Sequence, residues 1–197
     1  MSLYTIPCIL FAGGKSSRMG EDKAFLPFAE YDSLIKYQVE RLKEIFEHVY
    51  VSAKDQYKYN DIDTIVIEDV LYSDISAPTT GFINIFRQLK EENSFFVLSV
   101  DTPFVNKIII DKLSETNNGN YDAIIIRTPS GIHPLCGIYT RVLEEPMKKM
   151  IEKGDHKLMK LLKKSNVFYI DVEDEDLLLN LNTPDEYAKA LNIVKKA

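Results

Sequence analysis

The sequence predicts an α/β fold in which a doubly wound, mostly parallel sheet forms one domain over residues 1–197. Three observations predict it. Short apolar runs such as residues 6–11 and 95–100 alternate along the chain with stretches of helical period. Those runs are nearly continuous rather than alternating, the pattern of strands covered on both faces. Three of them end in glycine or acid, at Gly13-Gly14, Glu68-Asp69 and Asp101, on the side where an open parallel sheet binds its ligands.

Residues 6–11 read as the first strand, which breaks at Gly13-Gly14 into a loop carrying Lys15, Arg18 and Lys23. Consecutive glycines let a polyphosphate approach the backbone N–H groups, and the cations close around its charge. Arg18 suits a forked contact with two phosphate oxygens, Lys23 a point contact with one. A Walker loop is excluded, because Arg18 and Met19 stand where its second glycine is required, and a dinucleotide fingerprint fails at Lys15.

Asp32 or Ser33 caps a helix expected to reach residue 46, with Leu34, Val39 and Leu42 on its apolar side. Strands are expected at 49–52 and 64–67, the second followed by Glu68-Asp69. Residues 70–78 read as loop and 81–90 as a helix. Residues 95–100 form a buried strand ended by Asp101-Thr102-Pro103, with Thr102 held extended by the proline after it. Asn106 caps a helix to about residue 115, and residues 123–126 and 137–139 read as strands joined by a connection over 129–136. Helices at 141–153 and 156–164 flank Gly154, and residues 167–172 form a last strand. Thr183-Pro184-Asp185-Glu186 is a capping box for a helix to about residue 195, with Asn180 and Asn182 just ahead of its positive end.

Composition narrows the function. With 45% hydrophobic residues and a net charge of −6, the chain has the apolar content for a sizeable core and no extended basic face for nucleic acid. An anionic small molecule held by local charge in a cleft is the expected ligand. The two cysteines, Cys8 and Cys136, have neither a CxxC nor a metal-ligand spacing, so reduced thiols and a cytoplasmic location are expected. No apolar run has the length to span a bilayer, so no membrane partner is expected.

Residues 11–23 match the A-G-G-x-S-x-R-M-G-x-D-K pattern without a gap, and together with Glu68-Asp69, Asp101-Thr102-Pro103, His133-Pro134 and Asn180-Leu181-Asn182-Thr183-Pro184 they resemble the molybdenum cofactor guanylyltransferases. That family joins GMP from GTP to molybdopterin. The resemblance implies a Rossmann-like, nucleotide-diphospho-sugar transferase-like fold, GTP and molybdopterin (or the molybdenum cofactor) as substrates, and Mg2+ as cofactor. It implies that Phe11, Ala12, Gly13 and Gly14 meet the nucleotide through their backbone and that Lys23 lies on its phosphates. Asp69 is then on the guanosine side with Ser52, which stands where the family often has asparagine. Asp101 binds the metal, Arg18 and Lys23 share the charge of the transferring phosphates, and Asn180 and Asn182 face molybdopterin. Molybdoenzyme maturation factors are the protein partners it brings to mind. Two alternatives stay open at this level: a cytidylyl- or other nucleotidyltransferase using molybdopterin or a sugar or alcohol phosphate, and a non-catalytic nucleotide-binding carrier module.

Overall fold

The structure, a computed structural model, describes residues 3–13, 22–72, 75 and 77–195. Seven strands form one sheet: β1 (Cys8–Phe11), β2 (Val49–Ala53), β3 (Ile65–Glu68), β4 (Ser94–Ser99), β5 (Ala123–Thr128), β6 (Gly131–Thr140) and β7 (Val167–Asp171), in the spatial order β3-β2-β1-β4-β6-β5-β7. All pair in parallel except β6, which runs against both β4 and β5. Among the described residues six α-helices cover the sheet: α1 (Leu34–Lys43), α2 (Pro78–Gln88), α3 (Lys107–Thr116), α4 (Glu144–Glu152), α5 (Leu158–Leu162) and α6 (Pro184–Val194).

The continuous apolar runs divide between two cores because successive strand side chains point to opposite faces. Cys8 and Leu10 of β1 and Phe96 and Leu98 of β4 pack with α1, α3 and α6, while Ile9, Phe11, Phe95 and Val97 pack with α2, α4 and α5. The helix starts follow the sequence signals. Ser33, Asn106 and Thr183 each accept a bond from the N–H three residues on, and Glu186 reaches back to the N–H of Asn182.

Two expectations need correction. Helix α2 begins at Pro78 rather than Gly81, since proline at the first helical position costs no hydrogen bond there. The segment 129–136 is not a connection: most of it belongs to β6, which forms a hairpin with β5. Pro134 hides the part of this strand before 137–139 from sequence reasoning, because proline cannot donate to a ladder. The structure accommodates it by shifting register between Ile125 and Ile126, so that Gly137 faces Ile125 while His133 faces Ile126. The Tyr139 hydroxyl donates to the Pro134 carbonyl inside the resulting bulge.

The first strand has β2 on one side and β4 on the other, and the chain moves outward from β1 to β3 before α2 carries it back across. The carboxyl end of β1 is therefore the point where the winding reverses, and a crevice opens there.

Candidate active site

Four strand ends deliver Ala12 with Gly13, Ser52, Asp69 and Asp101 to this crevice. Beyond β1 the Ala12 N–H donates to the Ser52 carbonyl at 2.9 Å, and the Phe11 carbonyl accepts from the Val100 N–H at 3.0 Å. Those bonds extend the sheet, so the nearest described backbone past them is Gly13. A Cβ built on Gly13 would lie 3.9 Å from Asp69 Oδ2, which makes this glycine the neighbour of the acidic group after β3. The Phe11 side chain belongs to the core, its ring 5.1 Å from that of Phe82. Gly14 and Arg18 lie outside the described residues.

Ser52 is fully buried on β2, and its hydroxyl donates to Asp69 Oδ1 at 3.3 Å. The Asp69 N–H continues the β2–β3 ladder to the Ala53 carbonyl at 2.8 Å, which fixes the direction in which the carboxylate leaves the sheet. Burial raises the Asp69 pKa to about 6, against the lowering effects of the Ser52 hydroxyl and of the Lys54 charge. Gly81, on α2, comes so near that a Cβ there would stand 2.6 Å from the Phe11 ring and 3.0 Å from Ser52 Oγ. In the sequence Gly81 is marked by the family resemblance of Pro78-Thr79-Thr80-Gly81, but nothing there shows the close approach of Phe11 and Ser52.

On the other side of β1, Lys23 forms an ion pair with Asp101 and donates to Asn182 Oδ1 at 3.1 Å. Three segments that the sequence keeps far apart therefore meet at one ammonium group. Lys23 reaches it from a turn of 3-10 helix capped by Asp22. While Oδ2 of Asp101 takes the lysine, Oδ1 is buried without a hydrogen-bond partner among the described residues. Such an oxygen is costly to leave unsatisfied, and a cation would satisfy it. Among the described residues no group of three or more His, Cys, Asp and Glu side chains forms a ready-made metal cage. A single carboxylate fits Mg2+, which keeps several waters and takes much of its coordination from substrate phosphates.

Past this pair lies a cleft of about 320 Å³, bounded by Asp101, Thr102, Asn180 and Asn182 on one side and by the β5–β6 hairpin on the other. Asn180 and Asp101 thus line the same cleft. The hairpin wall contributes Ser130, His133 and Pro134; the sequence singles out His133-Pro134 and gives no sign of Ser130. His133 Nε2 is 2.9 Å from Thr128 Oγ1, and burial lowers its pKa, partly offset by Glu175. Among the described residues no helix is long and apolar enough to cross a membrane.

Residues 8–168 match the family model of the MobA-like NTP transferase domain. The chain is 38% identical to the molybdenum cofactor guanylyltransferase of Campylobacter jejuni over 189 residues, covering 96% of this chain and 97% of that one. It is 32% identical to the protein of the same name from Helicobacter pylori, covering 98% and 92%. Its fold matches the molybdopterin-guanine dinucleotide biosynthesis protein A of Archaeoglobus fulgidus with a TM-score of 0.83 at 22% identity, over 98% of this chain and 100% of that one.

Proposed function

Because this chain belongs to the MobA-like NTP transferase family, within its molybdenum cofactor guanylyltransferase branch, we propose that it transfers GMP from GTP to the terminal phosphate of molybdopterin and releases pyrophosphate. The observation that carries this reading is the meeting of Lys23, Asp101 and Asn182 between a glycine-lined crevice and a second cleft. One side of that junction suits a nucleotide and the other an acceptor.

A phosphate oxygen of molybdopterin attacks the α-phosphorus of GTP, a new P–O bond forms, and the bond from the α-phosphorus to the bridging oxygen breaks as pyrophosphate leaves. The attacking oxygen is already anionic near neutral pH, so no general base is required. The protein's work is positioning and charge neutralisation. Lys23 holds the α-phosphate and Arg18 the departing pyrophosphate. Asp69 accepts from the N–H donors of guanine through the oxygen that faces Gly13, with Ser52 holding the other. Asn180 and Asn182 offer amide donors to the acceptor, beside the capped start of α6.

Mg2+ is the cofactor we assign, and the Oδ1 of Asp101, which has no partner among the described residues, would hold it. When bound it supplies Lewis-acid stabilisation of the charge on the phosphate oxygens. Asp101 fixes where that charge is met, and Lys23 is released from the ion pair to the substrate as phosphates arrive. Mass spectrometry of the products formed from molybdopterin, GTP and Mg2+ tests the assignment. Molybdopterin guanine dinucleotide is the expected product, and recovery of unchanged molybdopterin overturns the reading.

A further inference from the structure

Helix α1 packs against the Asp101 segment, and two of its polar side chains bond that segment's backbone. Gln38 is fully buried, and its Nε2 donates to the Val100 carbonyl at 3.1 Å. One turn further, the Arg41 guanidinium donates to the Val105 carbonyl. The two side chains are joined, Arg41 Nε donating to Gln38 Oε1 at 3.2 Å and Nη2 bonding the same oxygen. A helical i,i+3 pair therefore bonds both ends of the six-residue segment from Val100 to Val105, which contains Asp101.

We propose that Gln38 and Arg41 are positioning residues for the reaction, acting through the backbone of this segment to aim the Asp101 carboxylate at the metal. This inference rests on the reading of Asp101 as the metal ligand. A surface arginine and a packing glutamine would not account for the arrangement. Gln38 spends its donor and its acceptor on separate partners, and Arg41 reaches past its own helix to a carbonyl at the far end of the segment. The remaining anchors come from elsewhere: the Val100 N–H bonds Phe11, the Leu181 N–H bonds the Asp101 carbonyl at 2.9 Å, and Thr102 Oγ1 bonds the Ser99 carbonyl at 2.8 Å. With these bonds in place, the backbone that carries the Asp101 carboxylate is held in one geometry before a cation arrives. A buried amide whose carbonyl partner would otherwise be orphaned is costly to lose, which makes the pair sensitive to substitution.

The test uses the full chain in three forms: Gln38→Met, which keeps the volume and removes the bonds to both partners; Gln38→Glu, which keeps the Arg41 pair and loses the donor to Val100; and Asp101→Asn. Mn2+ binding in the presence of GTP is followed by electron paramagnetic resonance, backbone amide exchange over residues 100–105 by mass spectrometry, and turnover by pyrophosphate release. We expect both Gln38 variants to weaken Mn2+ binding by about 10-fold or more, as removal of metal-orienting partners does. They should also speed exchange over 100–105 and lower kcat, with KM for GTP at saturating metal kept within about twofold. Wild-type Mn2+ affinity and kcat in a folded Gln38→Met protein overturn the proposal. Should Gln38→Met fail to melt cooperatively, Gln38→Glu decides on the same criteria. Mn2+ binding by the wild type that survives Asp101→Asn would instead overturn the metal assignment at Asp101, and the positioning role with it.

Discussion

Lys23 and Asp101, 78 positions apart in the chain, form an ion pair in which the side chains are only 13% and 12% exposed. Each is the natural partner of something the reaction brings: the lysine of a phosphate, the carboxylate of a cation. The pair holds both charges ready at the reversal point of the sheet while the substrates are absent.

Removal of either charge should therefore cost turnover rather than folding alone. Asp101→Asn and Lys23→Met are each expected to lower kcat by on the order of 10²- to 10³-fold, the scale for losing one group that stabilises transition-state charge. Steady-state pyrophosphate release measures this, and circular dichroism of both variants checks that the fold persists.

GTP binding should weaken in mild acid. The Asp69 carboxyl, with a pKa raised by burial to about 6, must be ionised to accept from guanine, so affinity is expected to fall as pH drops through about 6. Ser52→Ala removes a hydroxyl that lowers this pKa, and the midpoint should move up. Calorimetric titration of GTP between pH 5 and pH 8 reads both effects.

The same shift has a stability consequence of the opposite sense. The folded value lies above the ordinary 3.8, so the folded chain holds this proton more tightly than the unfolded chain. The group's contribution is most favourable below about 4 and is lost as pH rises through about 6. At pH 8 the ionised, buried Asp69 is a burden, and Asp69→Asn is expected to stabilise the ligand-free protein by about 1–3 kcal/mol while weakening GTP binding. Thermal unfolding of the variant at pH 8 and pH 5 checks it: the gain should shrink at the lower pH.

Gly81 is the tightest point of the nucleotide side. A methyl there would meet the Phe11 ring at 2.6 Å and press on Ser52 Oγ at 3.0 Å. Gly81→Ala is expected to lower stability by about 1–3 kcal/mol through overpacking, despite the better helix propensity of alanine, and to raise KM for GTP by displacing the Ser52–Asp69 bond. Urea unfolding and GTP titration measure the two effects.

Asn182 bonds Lys23 and also borders the cleft under the β5–β6 hairpin, which we propose takes the acceptor. Asn182→Ala should raise KM for molybdopterin by more than KM for GTP, and initial-rate measurements with each substrate varied separate the two.

Much of this was legible in the chain. Ser33, Asn106 and Thr183 announced their helices because a cap is a local device, complete within four residues. Asp69 and Asp101 were legible because an acid ending a continuous apolar run sits at a fixed place in a parallel sheet. What stayed hidden depends on partners distant in sequence. Gln38 looks like any polar position on an amphipathic helix until Val100, 62 residues away, is brought beside it. The first half of β6, before the strand expected at 137–139, was hidden by Pro134, whose missing donor matters only if the register is regular, and the bulge makes it irregular. Gly81 carries no sequence sign of the ring that fills its Cβ position.

The most direct test of the central claim is pyrophosphate release with Mg2+ from GTP, CTP, UTP and ATP, each with and without molybdopterin, by the native chain and by Asp101→Asn. Release confined to GTP with molybdopterin, and lost in the variant, is the predicted result. Release with another nucleotide in place of GTP, or equal release by Asp101→Asn, would contradict the account.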